Sequence, residues 1–167
     1  LSYNGGSKSV AADRTMQIIV SSNGNLGGVA GYNAPTGELN RCVSGSWLLV
    51  NKSDGIGVGT GGIVGMNSAS STVENCIGNG SVTSNDGYAG GVASENYGTI
   101  RSCSVGTDNR VTLITRNKTA AGAICAVNHK GGTVQGATLG DHITISGSAF
   151  ILGAVAVSYT HLTLPTI

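Results

Sequence analysis

The heptapeptide Gly61-Gly62-Ile63-Val64-Gly65-Met66-Asn67 recurs at a regular spacing along the chain. Its other copies are Gly27-Gly28-Val29-Ala30-Gly31-Tyr32-Asn33, Gly90-Gly91-Val92-Ala93-Ser94-Glu95-Asn96, Gly122-Ala123-Ile124-Cys125-Ala126-Val127-Asn128 and the truncated Gly153-Ala154-Val155-Ala156. Tyr3-Asn4 matches the end of the motif, which predicts that the sequence begins inside an earlier copy. A spacing of about 31 residues is typical of solenoids and arrays.

Two further apolar segments follow each copy. In the second segment an apolar residue is followed three positions later by a small one: Leu39 and Cys42, Val73 and Cys76, Ile100 and Cys103, Val134 and Ala137. The third segment lies at residues 47–50, at Val82, and at residues 111–114 and 143–145. Residues three apart on a straight strand point to opposite faces. Both members of a pair can therefore point inward only if a corner or bulge separates them.

Three short β-patterned segments per repeat, without a helical period, predict an all-β fold. We expect a parallel β-solenoid (β-helix) with about three short strands per coil and four to five coils, stacked about 4.8 Å apart. A β-propeller is the rival fold, but its blades usually need about 40 residues. The predicted domain covers residues 1–156: a partial coil at 1–26, then coils that begin near 27, 61, 90, 122 and 153. Its uncapped ends predict fraying or aggregation of the isolated segment.

Residues 157–167 break the pattern. Val157 and Tyr159 stand where the repeat predicts a small residue and an asparagine. The remainder, from Ser158 to Ile167, contains no glycine and resembles a translated sequencing-adapter sequence. We interpret this tail as an artefact and exclude it from the fold. A genuine irregular linker is the alternative.

Composition excludes several classes of partner. Of the 167 residues, 28 are glycine, only 10% are charged, and the net charge is +1. A chain with so weak a field is not expected to bind nucleic acid or an anionic membrane surface. No apolar run reaches the roughly 20 residues of a membrane span. The chain begins at Leu1 without Met, which we interpret as an internal fragment, and its low charge is typical of exported bacterial repeat proteins.

Two of the repeats resemble a known motif. Residues 61–67 followed by Val73-Glu74-Asn75-Cys76, and residues 90–96 followed by Gly98-Thr99-Ile100-Arg101-Ser102-Cys103, resemble the GLUG motif of bacterial surface proteins, which include adhesins and IgA-specific metallopeptidases. The resemblance implies a repeat that serves as a stalk or spacer beside varied functional domains. Ser94 and Ala126 replace the third glycine, and Ala137 replaces the cysteine, so smallness is the requirement at those positions.

The repeat predicts three structural ladders. Their members are Asn4, Asn33, Asn67, Asn96 and Asn128; Cys42, Cys76 and Cys103; and Gly28, Gly62 and Gly91. An asparagine amide can bond to neighbouring coils. The cysteines are interpreted as buried free thiols that act as small hydrophobes. A disulfide between neighbouring coils and a metal site are the alternatives, although the cysteine spacings match no zinc motif.

No residue set predicts catalysis, a cofactor or a metal. His129 and His142 form no His-Glu-x-x-His motif, and the acids are scattered one or two per coil. Trp47, the single tryptophan, is either half-buried packing or one wall of a contact with a glycan or a host protein. We therefore expect a structural or adhesive segment of an extracellular or cell-surface bacterial protein, joined to flanking repeats. A carbohydrate-binding or carbohydrate-active β-helix is the alternative, and it predicts acids clustered on one face.

Overall fold

The computed structural model describes residues 17–20, 24–45, 48–52, 58–107, 110–116, 119–147 and 151–158. All regular structure in these residues is β-strand, and the strands are stacked as a parallel β-solenoid. The described part contains no helix, and therefore none long and apolar enough to cross a membrane. Asn4 and Trp47 of the sequence predictions lie outside the described residues.

The strands follow one another in the same order in every coil. The first coil contains β1 Gln17–Val20, β2 Leu26–Gly27, β3 Ala30–Asn33, β4 Glu38–Asn40 and β5 Val43–Ser44. The second contains β6 Leu48–Asn51, β7 Gly59–Gly61, β8 Val64–Asn67, β9 Thr72–Glu74 and β10 Ile77–Gly78. The third contains β11 Ser81–Ser84, β12 Tyr88–Gly90, β13 Ala93–Asn96, β14 Thr99–Arg101 and β15 Ser104–Val105. The fourth contains β16 Val111–Thr115, β17 Ala120–Gly122, β18 Cys125–Asn128, β19 Thr133–Gln135 and β20 Thr138–Leu139. A fifth begins with β21 Ile143–Gly147, β22 Ile151–Gly153 and β23 Ala156–Ser158.

Equivalent strands of successive coils pair into five parallel sheets. Sheet A is β1-β6-β11-β16-β21, sheet B is β2-β7-β12-β17-β22, sheet C is β3-β8-β13-β18-β23, sheet D is β4-β9-β14-β19 and sheet E is β5-β10-β15-β20. Differences in repeat length are absorbed in the connections between strands. Between sheets A and B, for example, residues 52–58 follow β6 but only residues 85–87 follow β11. The fold class predicted from the sequence is confirmed.

The structure divides the three predicted segments of a coil into five strands. The heptapeptide contributes two strands, because the chain bends at its second and third residues. At this bend Ile63 and Val64 both donate their backbone N–H to the carbonyl of Val92 in the next coil. The same pattern recurs one coil later, where Val92 and Ala93 both donate to Ile124. The bend is therefore part of the stacking, and a count of apolar segments does not detect it.

The predicted corner inside the second segment is confirmed. Val73 and Cys76 are both fully buried, although they are three residues apart. Asn75, between them, takes a left-handed backbone with φ of 54°. The equivalent residues of the other coils do the same, with φ of 56° at Arg41, 52° at Ser102 and 60° at Gly136. The left-handed residue at this corner reverses the strand alternation in each coil, so both members of the pair face the core.

The core consists of ladders in which the same inward position is stacked from coil to coil. One ladder on sheet A runs through Ile18, Leu49, Val82, Leu113 and Ile145. Its three middle members are fully buried. Burial of such apolar side chains contributes about 1.5–3 kcal/mol each. The solenoid is therefore held together by contacts between neighbouring coils.

The last described strand runs past residue 156, where the predicted domain ends. Strand β23 includes Val157 and Ser158, which pair with Val127 and Asn128 after a register shift. The shift places a serine, rather than residue 159, opposite the last asparagine of the repeat. The interpretation of residues 159–167 as an artefact falls outside the described residues.

Candidate functional site

The inward asparagines at the end of the sheet C strands form a continuous hydrogen-bonded row. Asn33 Nδ2 donates to Asn67 Oδ1 at 2.9 Å, Asn67 Nδ2 to Asn96 Oδ1 at 2.8 Å, and Asn96 Nδ2 to Asn128 Oδ1 at 2.7 Å. All three bonds run from a donor in one coil to an acceptor in the next coil toward the C-terminal end. Because each amide supplies one donor and one acceptor to the row, the pattern can be continued by any further coil.

The same amides also fix the corner that follows each strand. Asn33 Nδ2 donates to the carbonyl of Gly37 at 3.3 Å, and Asn128 Nδ2 donates to that of Gly132 at 2.9 Å. In the second coil Ser71 Oγ donates to Asn67 Oδ1 at 2.7 Å. Asn67 and Asn96 are fully buried. The amides of these two middle members are therefore used within the solenoid itself.

The three aligned cysteines follow the left-handed corner and share one orientation. Cys76 Sγ donates to the carbonyl of Glu74 at 3.1 Å, and Cys103 Sγ donates to that of Arg101 at 3.3 Å. Cys42 and the separate Cys125 are also free thiols. Burial and the neighbouring Cys76 raise the pKa of the Cys42 thiol, and burial raises that of Cys125. The thiols pack as small apolar groups whose S–H bonds to the chain.

We predict that the native thiols react poorly with a water-soluble alkylating reagent at pH 8. Cys76, Cys103 and Cys125 are buried, and only Cys42 is partly exposed. Since the thiolate is the nucleophile, a raised pKa further slows Cys42. Mass spectrometry should find at most one slow modification in the native chain and four rapid ones in denaturant. Rapid labelling of two or more native thiols would contradict the buried row.

Glycine is required most strictly at the first position of the heptapeptide. A Cβ built at Gly27, Gly61, Gly90 or Gly122 would overlap the carbonyl oxygen of the residue three positions later. The predicted ladder of Gly28, Gly62 and Gly91 is also close to the next coil, because a Cβ at Gly62 would overlap the Gly91 carbonyl oxygen. Alanine nevertheless occupies the second position in two copies, at Ala123 and Ala154. Every copy has glycine at the first position.

One polar cluster on the outside of sheet C joins two coils. His129 Nε2 lies 2.8 Å from Glu95 Oε2, and the Tyr97 hydroxyl donates to the same oxygen at 3.3 Å. The rings of Tyr97 and His129 are stacked, with centroids 3.9 Å apart and planes at 4°. The Glu95 side chain is only 7% exposed and that of His129 is 27% exposed. We call these three residues the Glu95 cluster.

The repeat positions explain why the Glu95 cluster forms. Tyr97 and His129 each directly follow the row asparagine of their coil. The backbone N–H of each donates to the carbonyl of the row asparagine in the preceding coil, which is Asn67 for Tyr97 and Asn96 for His129. They are thus stacked neighbours, although 32 residues separate their asparagines. No catalytic motif in the sequence reveals the cluster, because such motifs consist of residues close in sequence. Alignment of the heptapeptides would have placed Tyr97 beside His129.

We predict that Glu95→Gln lowers the pKa of Tyr97. Burial raises this pKa above its ordinary value, and the negative charge of Glu95 raises it further. Glutamine removes the charge but leaves the burial, so the pKa should fall without reaching the value of a free tyrosine. Phenolate absorbance measured against pH would show the shift, with Tyr97→Phe identifying the Tyr97 component. Glu38→Gln, at an exposed site on sheet D, should leave the titration unchanged; an unchanged curve for Glu95→Gln would refute the coupling.

The other described acids do not converge. Glu38 and Glu74 lie on neighbouring strands but out of register, since Glu38 pairs with Thr72. Glu74 Oε2 accepts a hydrogen bond from Arg101 at 2.7 Å, which lowers the pKa of this partly exposed carboxyl. Among the described residues, no three His, Cys, Asp or Glu side chains are grouped so that they could hold a metal ion. Asp13, Asp54 and Asp108 lie outside the described residues.

Comparisons of the chain with protein-family models, with curated proteins and with solved structures gave no match.

Proposed function

We propose that this chain is a structural repeat segment, a stalk or spacer, of a secreted or cell-surface bacterial protein, and that it carries no catalysis of its own. The asparagine row is the observation that supports the proposal most directly. Its hydrogen bonds all run in one direction along the solenoid axis, and its middle members are buried. A buried row of this kind fixes the distance between coils and is suited to a rod.

The variation between aligned positions also supports a spacer. The outward row on sheet D contains Asn40, Glu74, Arg101 and Gln135, which differ in charge and shape. The inward row beside it contains Leu39, Val73, Ile100 and Val134, which are all aliphatic. A repeat that retains its core while its surface varies is expected of a segment whose task is to maintain length.

The dimensions follow from strand spacing. Coils about 4.8 Å apart give a rod of about 20–25 Å for four to five coils. Each coil contacts only its neighbours, so further coils would extend the rod without altering those already present. The proposal includes an extracellular location, flanking repeats in the same chain, and a host protein or glycan as partner. The low charge and the resemblance to GLUG repeats support these parts.

Insertion of one coil tests the spacer. A second copy of residues 61–89 should lengthen the molecule by about 4.8 Å, because strands of the new coil enter all five sheets. Small-angle scattering from a dilute monomeric sample measures the maximum dimension. A glycine- and serine-rich insert of equal length is the control, and it should add disordered chain without adding β-structure. An inserted coil that leaves the dimension unchanged would refute a rod of independent coils.

One observation favours the alternative of a carbohydrate-binding or carbohydrate-active surface. The Glu95 cluster places an acid and a base in contact, and Tyr32, on the same sheet, is 52% exposed. Tyr32 also donates its hydroxyl to Ser68 Oγ at 3.3 Å, which directs it toward the row that contains Tyr97 and His129. A glycan array probed with the chain and with Tyr32→Ala tests this surface. Binding that is lost in the variant would favour the alternative over the spacer.

A further inference from the structure

Two buried thiols are stacked on neighbouring coils at the corner between sheets D and E. Cys76 follows β9 and Cys103 follows β14, and the residues after them pair in register across sheet E. They belong to the second and third coils, so a described coil lies on each side of the pair. The fold itself needs only a small group at this position, since Ala137 occupies it in the fourth coil. The pair is therefore an internal cluster of metal-binding side chains that stacking alone does not explain.

The two thiols have the same orientation. Cys76 Sγ lies 3.5 Å from the carbonyl oxygen of Leu39, and Cys103 Sγ lies 3.5 Å from that of Val73. Leu39 and Val73 are themselves register partners. Side chains with equivalent contacts on stacked coils place their sulfurs within one coil spacing of each other, about 4.8 Å. The two thiols are thus close enough to interact directly.

We propose that Cys76 and Cys103 bind a Cu(I) ion between their sulfurs in two-coordinate geometry. Thiolates are soft ligands that select Cu(I). Metal–sulfur bonds of about 2.3 Å, the length found for zinc, span about 4.6 Å when the ion lies midway, and less when the angle at the ion is bent. The spacing of the coils therefore matches the span of one bound ion. The site does not depend on the spacer role, because it follows from the stacked thiols alone.

Two other uses of the thiols fit the geometry less well. A structural Zn²⁺ ion takes four ligands, whereas no three His, Cys, Asp or Glu side chains are grouped around an ion site in the described part of the chain. A disulfide requires sulfurs about 2.05 Å apart, so both side chains would have to leave the orientation that they share. A two-coordinate ion needs only the two thiols and keeps that orientation.

The buried surroundings determine how many protons the site loses. Binding of Cu(I) with release of one proton leaves one thiolate and one thiol, so the bound site has no net charge. Release of both protons would leave a negative charge among the buried aliphatic residues of the core, where an unpaired charge is costly. Uptake of the ion should therefore release one proton, and neither copper nor sulfur changes its oxidation state.

The test refolds the full 167-residue chain from urea, without oxygen, in the presence of Cu(I) held by a coloured chelator. Refolding is used because both thiols are buried in the native chain. The colour should report transfer of one Cu(I) ion to each chain, and copper X-ray absorption should find two sulfur neighbours. An unaltered, folded chain that leaves the ion with the chelator would overturn the proposal, and so would a copper ion with three sulfur neighbours.

Cys76→Ala is the decisive variant. It leaves Cys42 and Cys103 two coils apart, about 9.6 Å, which is too far for one ion to bridge. This variant should lose the bound ion. Cys42→Ala should retain it, because the pair of Cys76 and Cys103 is intact; loss of the ion from Cys42→Ala would overturn the assignment to that pair.

Cys125→Ala is the matched control, since it removes a buried thiol that lies outside the row. Alanine occurs at the equivalent positions of other coils, namely Ala137 for Cys76 and Ala93 for Cys125, so both variants should fold. Circular dichroism checks this. The control should take up one ion like the unaltered chain. Equal uptake by Cys76→Ala and Cys125→Ala would show that single thiols bind the copper, and it would overturn the shared site.

Discussion

Replacement of Asn67 by alanine is expected to lower the free energy of unfolding by about 3 kcal/mol, because it leaves several buried partners unpaired. Asn67 donates to Asn96 Oδ1, and its own Oδ1 accepts from Asn33 at 2.9 Å and from Ser71 at 2.7 Å. The substitution interrupts the row in its middle. Coils on both sides should become less stable, and hydrogen exchange of their backbone amides would show this directly.

Two comparison variants separate hydrogen bonding from packing at this site. Asn67→Asp retains the volume but replaces the donor by a buried carboxylate that faces Asn96 Oδ1, so it should be at least as destabilising as alanine at neutral pH. Asn40→Ala removes an exposed amide on β4 of the preceding coil and should cost less than about 0.5 kcal/mol. Chemical denaturation followed by circular dichroism ranks the three. An aspartate variant as stable as the unaltered chain would show that the amide hydrogen bonds contribute little.

Replacement of Gly90 by alanine is expected to cost more than about 3 kcal/mol, because overpacking against backbone cannot be relieved by a side-chain rotation. The new Cβ would overlap the carbonyl oxygen of Ala93 and lie 3.1 Å from the amide nitrogen of Ala126. Ala93 begins the strand that follows the bend, and Ala126 belongs to the heptapeptide of the next coil. The bend would have to open, which separates sheet B from sheet C in that coil.

Ser94→Ala is the matched control within the same heptapeptide. Position 94 corresponds to the third glycine, which the repeats replace by serine or alanine. The substitution removes one hydrogen bond, from Ser94 Oγ to the Gly65 carbonyl, and should cost about 1 kcal/mol. Thermal melting of both variants gives the comparison. A Gly90→Ala variant that melts at or above the Ser94→Ala variant would refute the steric requirement for glycine.

The heptapeptide illustrates how much of the site could be predicted. Because the heptapeptide recurs at a regular spacing, its equivalent residues are predicted to stack. The asparagine at its last position therefore predicts an asparagine row. The contact of Glu95 with His129 needs more, because 34 residues separate them and the two do not occupy the same repeat position. The ring of His129 is stacked on that of Tyr97, and Glu95 lies two residues before Tyr97 on the same outer surface. Glu95 and His129 therefore meet. Only a folded pair of coils shows this diagonal contact.

The sequence by itself determined the parallel β-solenoid, the ladder positions and the corner between Val73 and Cys76, since these follow from a short pattern repeated at a nearly constant interval. The tertiary structure decided that the heptapeptide contains a bend and that its first glycine is the strict one. Each of these depends on how closely one backbone approaches the next. The spacing of residues in the sequence shows which positions are equivalent. The distances between backbone segments are set only when the chain has folded and the coils have stacked.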